Sequence, residues 1–224
     1  MNHDLSLHLR KVLPDARLAA VTLALPPPIR LMLLDGRNMN RAYSWEEMER
    51  IMAHPPHWAF CWAGGRALAA RLLEAPYLVR GKTVLDFGCG SGVVGIAAAL
   101  SGAGQVIACD RDPVALKAVL YNAGLNGVTL LTRGDLDEIH GAVDLVLAAD
   151  ILYDRDNLPL LDRFLKLAPE VLVADSRVKD LCWPRYALEA EVVLRTLPDL
   201  GEPEEHRRVM IYRGRKNHTG RNGT

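Results

Sequence analysis

The sequence predicts an α/β fold: a doubly wound, mostly parallel, seven-stranded sheet that closes on an antiparallel C-terminal hairpin and is preceded by an N-terminal extension. Three observations predict it. From Gly81 onward, short apolar runs alternate with helical stretches. The runs are close to continuously apolar, as strands covered on both faces must be. The last two candidate strands have no helix between them, and a hairpin is what joins such a pair.

The elements follow in order. Residues 1–76 read as an extension packed on the main body, 77–214 as the α/β domain, and 215–224 as a polar, disordered tail. Within the extension, Ile29 to Leu34 reads as a strand ending at the turn signal Asp35-Gly36. Ser44-Trp45-Glu46-Glu47 fits a capping box, so a short helix starts at Trp45 and stops before Pro55. Trp58, Phe60 and Trp62 alternate, which suits a half-buried strand or extended segment packing on the sheet. Arg66 to Ala75 reads as a helix closed by Pro76. Then come a strand over Thr83–Phe87, an alanine-rich helix over Val93–Leu100 and a strand over Gln105–Cys109. Asp112 caps a helix with Pro113 at its first position. Strands over Val128–Thr132, Val143–Ala148 and Glu170–Ala174 follow, with a helix over Leu158–Leu167 before the last of them. Glu191–Thr196 and Arg207–Arg213 supply the hairpin.

Composition narrows the function classes. Half of the residues are hydrophobic, which calls for a packed core rather than a disordered chain. Lys plus Arg number 27 and so do Asp plus Glu, so nothing points to a nucleic-acid partner gripped through bulk charge. Leu18 to Leu25 is apolar but too short to span a membrane, and no signal peptide is apparent. Cys61, Cys89, Cys109 and Cys182 are far apart and form no CxxC. They read as buried, reduced thiols of a cytoplasmic protein rather than a zinc or disulfide framework. His54-Pro55-Pro56-His57 spells HxxH, but its prolines forbid the helix that would place both imidazoles on one metal, and no metal is expected.

The chemistry-bearing segment is Asp86-Phe87-Gly88-Cys89-Gly90-Ser91-Gly92, at the end of one strand and the start of a helix. Glycines there permit a tight turn and close approach of a ligand to the backbone. Asp110 ends the next strand, where a carboxylate can accept from both hydroxyls of a ribose. Dinucleotides and S-adenosylmethionine share this layout, and a purely structural turn has it too. The spacing is GxGxG rather than GxGxxG, and Asp86 would repel a pyrophosphate, whereas an ammonium and a sulfonium would be favoured by it. The physics favours S-adenosylmethionine. After the third strand, Asp135 can accept from an adenine amino group and the Leu136 amide can donate to a ring nitrogen; alternatively Asp135 caps the short turn that follows.

Val84 to Gly92 resembles motif I of the class I, seven-β-strand methyltransferases, and Val106 to Pro113 resembles the segment after it. Asp150-Ile151-Leu152-Tyr153 resembles the DxxY motif of the family 16 protein methyltransferases. Pro56 to Gly65 resembles the aromatic segment of the lysine methyltransferases of electron transfer flavoprotein subunit β. The similarity runs from about Pro28 to about Asp175. It implies a Rossmann-like fold, S-adenosylmethionine as cofactor, and a cofactor site of Trp62, Asp86, Gly88, Cys89, Gly90, Asp110, Arg111, Asp135, Leu136 and Ala149. It implies Asp150 and Tyr153 as catalytic residues on the floor of the acceptor pocket, and a protein substrate. The segment Ala174-Asp175-Ser176-Arg177 departs from the Gly-Asp-Pro-Gly-Arg of relatives and borders that pocket. In this reading Asp150 orients the acceptor amine and Tyr153 walls it; otherwise Asp150 caps a turn and Tyr153 packs in the core. A small-molecule amine or pyridine acceptor, and an inactive binding protein, remain as alternatives.

Overall fold

The computed structural model describes residues 2–39 and 41–216. The central sheet is built from β3 (Thr83–Phe87), β4 (Gln105–Cys109), β5 (Leu131–Arg133), β6 (Leu145–Ala149), β7 (Glu170–Asp175), β8 (Tyr186–Val193) and β9 (Arg208–Arg215). Its order is β5-β4-β3-β6-β7-β9-β8, parallel through β7 and antiparallel at β9 and β8. The direction of winding reverses between β3 and β6, the place where open α/β sheets bind ligands.

Near-continuous apolarity has the cause assigned to it. Val84, Leu145, Leu147, Leu172 and Ile211 enter one core, while Leu85, Val146, Val171, Val173 and Met210 enter the other. Neighbouring residues of one strand point to opposite faces, so both must be apolar when helices cover both. On the first face lie α3 (Ala63–Glu74) and α4 (Val93–Leu100); on the second, α6 (Leu160–Leu167), whose Phe164 is fully buried and meets the Phe87 ring edge-on at 5.0 Å.

β3, β4, α4 and the start of α5 (Pro113–Leu125) fall where the sequence places them, with Asp112 accepting from Val114 N as N-cap. α2 (Trp45–Ala53) carries the full capping box between Ser44 and Glu47. Other bounds shift. β5 starts at Leu131 and β6 at Leu145, each later than read. β8 starts earlier, at Tyr186, and ends at Val193, because β9 offers partners only over that register. β9 runs on through Gly214 and Arg215, two residues read as tail or its border, since both pair across the sheet; the expected tail beyond 216 lies outside the described residues.

The extension is more regular than its sequence suggests. α1 (Asn2–Val12) lays Leu5 and Leu9 on α5, and β1 (Leu18–Leu23) pairs antiparallel with β2 (Ile29–Leu34). α5 takes the outer edge of β2 through two asparagines one turn apart. Asn122 accepts from Met32 N at 2.8 Å and donates to Ser91 O at 2.9 Å; Asn126 accepts from Arg30 N and donates to Arg30 O. Side-chain amides thus satisfy a strand edge that would otherwise be left open. α3 begins at Ala63, not Arg66, and packs on β6, β7 and β9. It is a layer of the α/β body, although the sequence reading placed it in the extension. Among the described residues, no helix is long and apolar enough to cross a membrane.

Candidate functional site

A cleft of about 1040 Å³ opens over the carboxyl ends of β3, β4, β5 and β6. Its wall includes Trp62, Gly88, Gly90, Asp110, Arg111, Asp135, Leu136, Ala149, Asp150 and Tyr153, ten of the twelve residues singled out in the sequence. The other two, Asp86 and Cys89, are off the wall. Asp86 is buried and its Oδ2 accepts from Gly95 N at 2.8 Å, in the first turn of α4. A negative group at a helix N-terminus is favoured by the unpaired amides there. Burial, with the nearby Asp110 charge adding to it, pushes the Asp86 carboxyl up to about 7. The loop therefore uses Asp86 Oδ2 to hold its helix, and the carboxyl lies behind the cleft wall rather than on it. Cys89 is buried against the core, and its thiol is pushed well above its ordinary value by desolvation.

The turn itself fits a ligand. Gly88, Gly90 and Gly92 have φ of 66°, 49° and 82°, a region that side-chain-bearing residues rarely adopt. A Cβ on Gly90 would meet nothing nearer than Gly88 O at 3.9 Å, so it would project into the cleft that the glycine leaves free. Asp110 is pinned beside it: Oδ2 accepts from Gly90 N at 3.0 Å and Oδ1 from Asp112 N at 3.0 Å. Each oxygen keeps a lone pair for a further donor. Desolvation raises the Asp110 pKa. Further out, Asp135 accepts from Asp137 N at 2.8 Å, so the capping alternative is present, and a free oxygen remains at the rim.

The opposite end is assembled from distant segments. Asp150 sits at φ 49°, uncommon for a residue with a side chain, and its N–H donates to Ala174 O. Its Oδ2 accepts from Gly64 N at 2.6 Å, in the first turn of α3. Its Oδ1 accepts from both Ser176 N at 3.0 Å and Ser176 Oγ at 2.7 Å. Next to it, the fully buried Asp175 accepts from Leu152 N, Arg177 N and Val178 N. Burial first, and the neighbouring Asp175 second, raise the Asp150 pKa to about 6. Asp150 is thus a cap, but for α3 rather than for the turn after it.

Aromatic rings wall this end. His57 lies edge-on to Trp62 at 5.7 Å and to Tyr153 at 6.0 Å, and Trp62 Nε1 donates to His57 O. Tyr153 is 54% exposed, so it stands at the rim and not in the core. The alternation of Trp58, Phe60 and Trp62 does not mark a strand. His57–Ala59 is a 3-10 turn that buries Trp58, and only Cys61 bridges to another chain segment, at Leu197. His57 and Ser176 were missed as site residues. His57 was visible only as half of an HxxH, and Ser176 only as a departure from a familiar segment. Among the described residues no group of His, Cys, Asp and Glu is arranged to hold a metal. Cys61, Cys89 and Cys109 are buried as expected, whereas Cys182 is exposed, because it lies on the loop between β7 and β8. Burial pushes the Cys61 and Cys109 thiols up to about 12 and keeps them protonated.

The family model described as Ribosomal protein L11 methyltransferase (PrmA) matches residues 67–162. The chain is 39% identical over 160 residues to the electron transfer flavoprotein beta subunit lysine methyltransferase of Rattus norvegicus, covering 68% of this chain and 62% of that protein. It is 41% identical over 132 residues to the ribosomal protein L11 methyltransferase of Pelotomaculum thermopropionicum, covering 52% and 42%. The chain thus spans less than two thirds of the curated relatives' length. Among solved structures, the ribosomal protein L11 methylase of Lactobacillus delbrueckii subsp. bulgaricus superposes with a TM-score of 0.51 at 23% identity, over 68% of this chain and 79% of that one.

Proposed function

We propose that this chain, a homologue of the electron transfer flavoprotein β subunit lysine methyltransferases with the class I, seven-β-strand methyltransferase fold, methylates lysine side chains of a protein from S-adenosylmethionine. One observation carries the reading. A single cleft joins an open-walled glycine turn with a pinned carboxylate, Asp110, to an aromatic-walled end floored by Asp150.

S-adenosylmethionine supplies a methyl group already activated by its sulfonium. The residues of this chain do the rest. Asp110 accepts from ribose hydroxyls with its spare lone pairs, Gly88 and Gly90 admit the ligand against the backbone, and Leu136 and Asp135 border the adenine end. Arg111 lines the same side, while Trp62 and Ala149 border the methionine end. The acceptor lysine must lose its proton, which at pH 7 costs about 4.6 kcal/mol from an ordinary pKa near 10.4. Trp62, His57 and Tyr153 exclude water around the amine, and that desolvation favours its neutral form. Asp150 accepts from the amine and fixes its direction of approach. Its charge alone would hold the ammonium, so the aromatic wall has to outweigh it.

Incubation with tritium-labelled S-adenosylmethionine and either purified electron transfer flavoprotein β subunit or a cell extract tests this. The expected result is a labelled protein band that yields methyl-lysine on hydrolysis. Label confined to small molecules would replace the protein acceptor with a small amine, and no transfer at all with cofactor still bound would refute the activity.

A further inference from the structure

We propose that Ser176 is a positioning residue for the methyl acceptor: its buried hydroxyl and backbone N–H together occupy Asp150 Oδ1, which leaves Oδ2 as the one oxygen able to receive the acceptor amine. The inference rests on the lysine-methylation reading above.

A carboxylate has about four acceptor positions, two on each oxygen. On Asp150, Ser176 N and Ser176 Oγ take both positions of Oδ1, and Gly64 N takes one of Oδ2. One position remains, and Asp150 lines the cleft. The carboxylate is thereby turned from a group with several equivalent edges into a single directed acceptor. Three donors from α3 and from the end of β7 fix its plane, and a fourth bond, Asp150 N to Ala174 O, fixes its backbone. Ser176 is 2% exposed and cannot make up the loss of Asp150 by bonding to bulk water.

The same bonds set the charge of the floor. Asp175 and desolvation oppose ionisation of Asp150, while the donors Ser176 and Gly64 favour it. The other ionisable groups around it are Cys61 beneath α3, Lys179 beyond β7, and His57, Tyr153 and Arg177 on the cleft wall. Ser176 thus couples geometry to charge at the same oxygen.

The test compares the full-length wild type with Ser176→Ala and Ser176→Thr, the latter keeping the hydroxyl. Two measurements are made. Carbon-13 carboxyl titration follows Asp150 directly and requires no activity. Methylation kinetics follow the acceptor. In Ser176→Ala, Asp150 is expected to titrate about one pH unit higher, the size of one charge-assisted hydrogen bond. The acid limb of the rate profile should move with it, and kcat/KM for the acceptor should fall about tenfold while cofactor Kd stays put. Ser176→Thr should restore both. An Asp150 titration and a rate profile in Ser176→Ala that overlay the wild type would overturn the proposal. Wild type that methylates no lysine would instead sink the functional reading, and the titration would still decide whether Ser176 controls Asp150.

Discussion

The two ends of the cleft are built in opposite ways. At the glycine turn, the carboxylate contacts are short in sequence: Gly95 to Asp86 spans 9 residues, Asp112 to Asp110 spans 2, and Gly90 to Asp110 spans 20. At the acceptor end, Asp150 is held by Gly64 across 86 residues and by Ser176 across 26. The first end is one strand-turn-helix unit plus the next strand. The second is where three remote pieces meet: the start of α3, the end of β6 and the end of β7. A local unit carries its own instructions, so it can serve many proteins with one cofactor. A junction of remote pieces changes whenever any piece changes, which suits the part of an enzyme that chooses its acceptor.

Separating the two ends by mutation gives the largest expected effect. Asp110→Ala removes a charged acceptor, and hydrogen bonds to charged groups contribute about 1.5–3 kcal/mol each, so cofactor affinity should drop about 100-fold in calorimetry. Asp150→Ala should leave that affinity within about threefold while methyl transfer collapses, since misplacement near the reacting atoms costs about 100-fold. Equal losses of affinity in both variants would break the comparison.

A smaller effect should come from Gly64→Ala. Its Cβ would lie 2.5 Å from Asp150 Oδ2 and 2.8 Å from Ala174 O, and the second is backbone that cannot step aside. Overpacking of this kind costs about 1–3 kcal/mol of stability. Acceptor turnover should fall and cofactor affinity hold, as measured by kinetics beside calorimetry. A drop in affinity equal to the drop in turnover would show the ends to be coupled through α3.

A last effect concerns pH. The folded state raises Asp86 from 3.8 to about 7 and Asp150 from 3.8 to about 6. A raised carboxyl keeps its proton in the folded state after the unfolded chain has lost it. Stability contributed by these groups is therefore greatest below about pH 4 and declines as pH rises towards 6 and 7. Asp86→Asn should flatten the upper part of that decline in thermal melts, leaving the part due to Asp150. An unchanged slope would mean that Asp86 does not bind the proton assigned to it.

Legibility follows the same division. The sequence places β3, α4, β4 and the cap of α5 to the residue, because apolar runs, glycines and an Asp-Pro cap are signals within a few positions of what they specify. α1 and β1 went unread. Neither is patterned strongly enough alone, and both owe their place to packing on α5 and pairing with β2. Ten of the twelve site residues do reach one cleft. Asp86 was placed in the site for its charge, and only the fold shows that its oxygen is turned to the Gly95 amide. His57 emerged as the ring between Trp62 and Tyr153 once the chain brought residues 57 and 153 together.

What the sequence alone determined is the parallel α/β sheet, the glycine turn at the end of β3 and the carboxylate at the end of β4, since each depends on neighbours along the chain. What only the tertiary structure decided is the acceptor end: Asp150 Oδ1 is spent on the two donors of Ser176, while Oδ2 carries the single bond from Gly64. A hydrogen bond between residues 86 positions apart has no local signature, because it forms only after the core has fixed both partners.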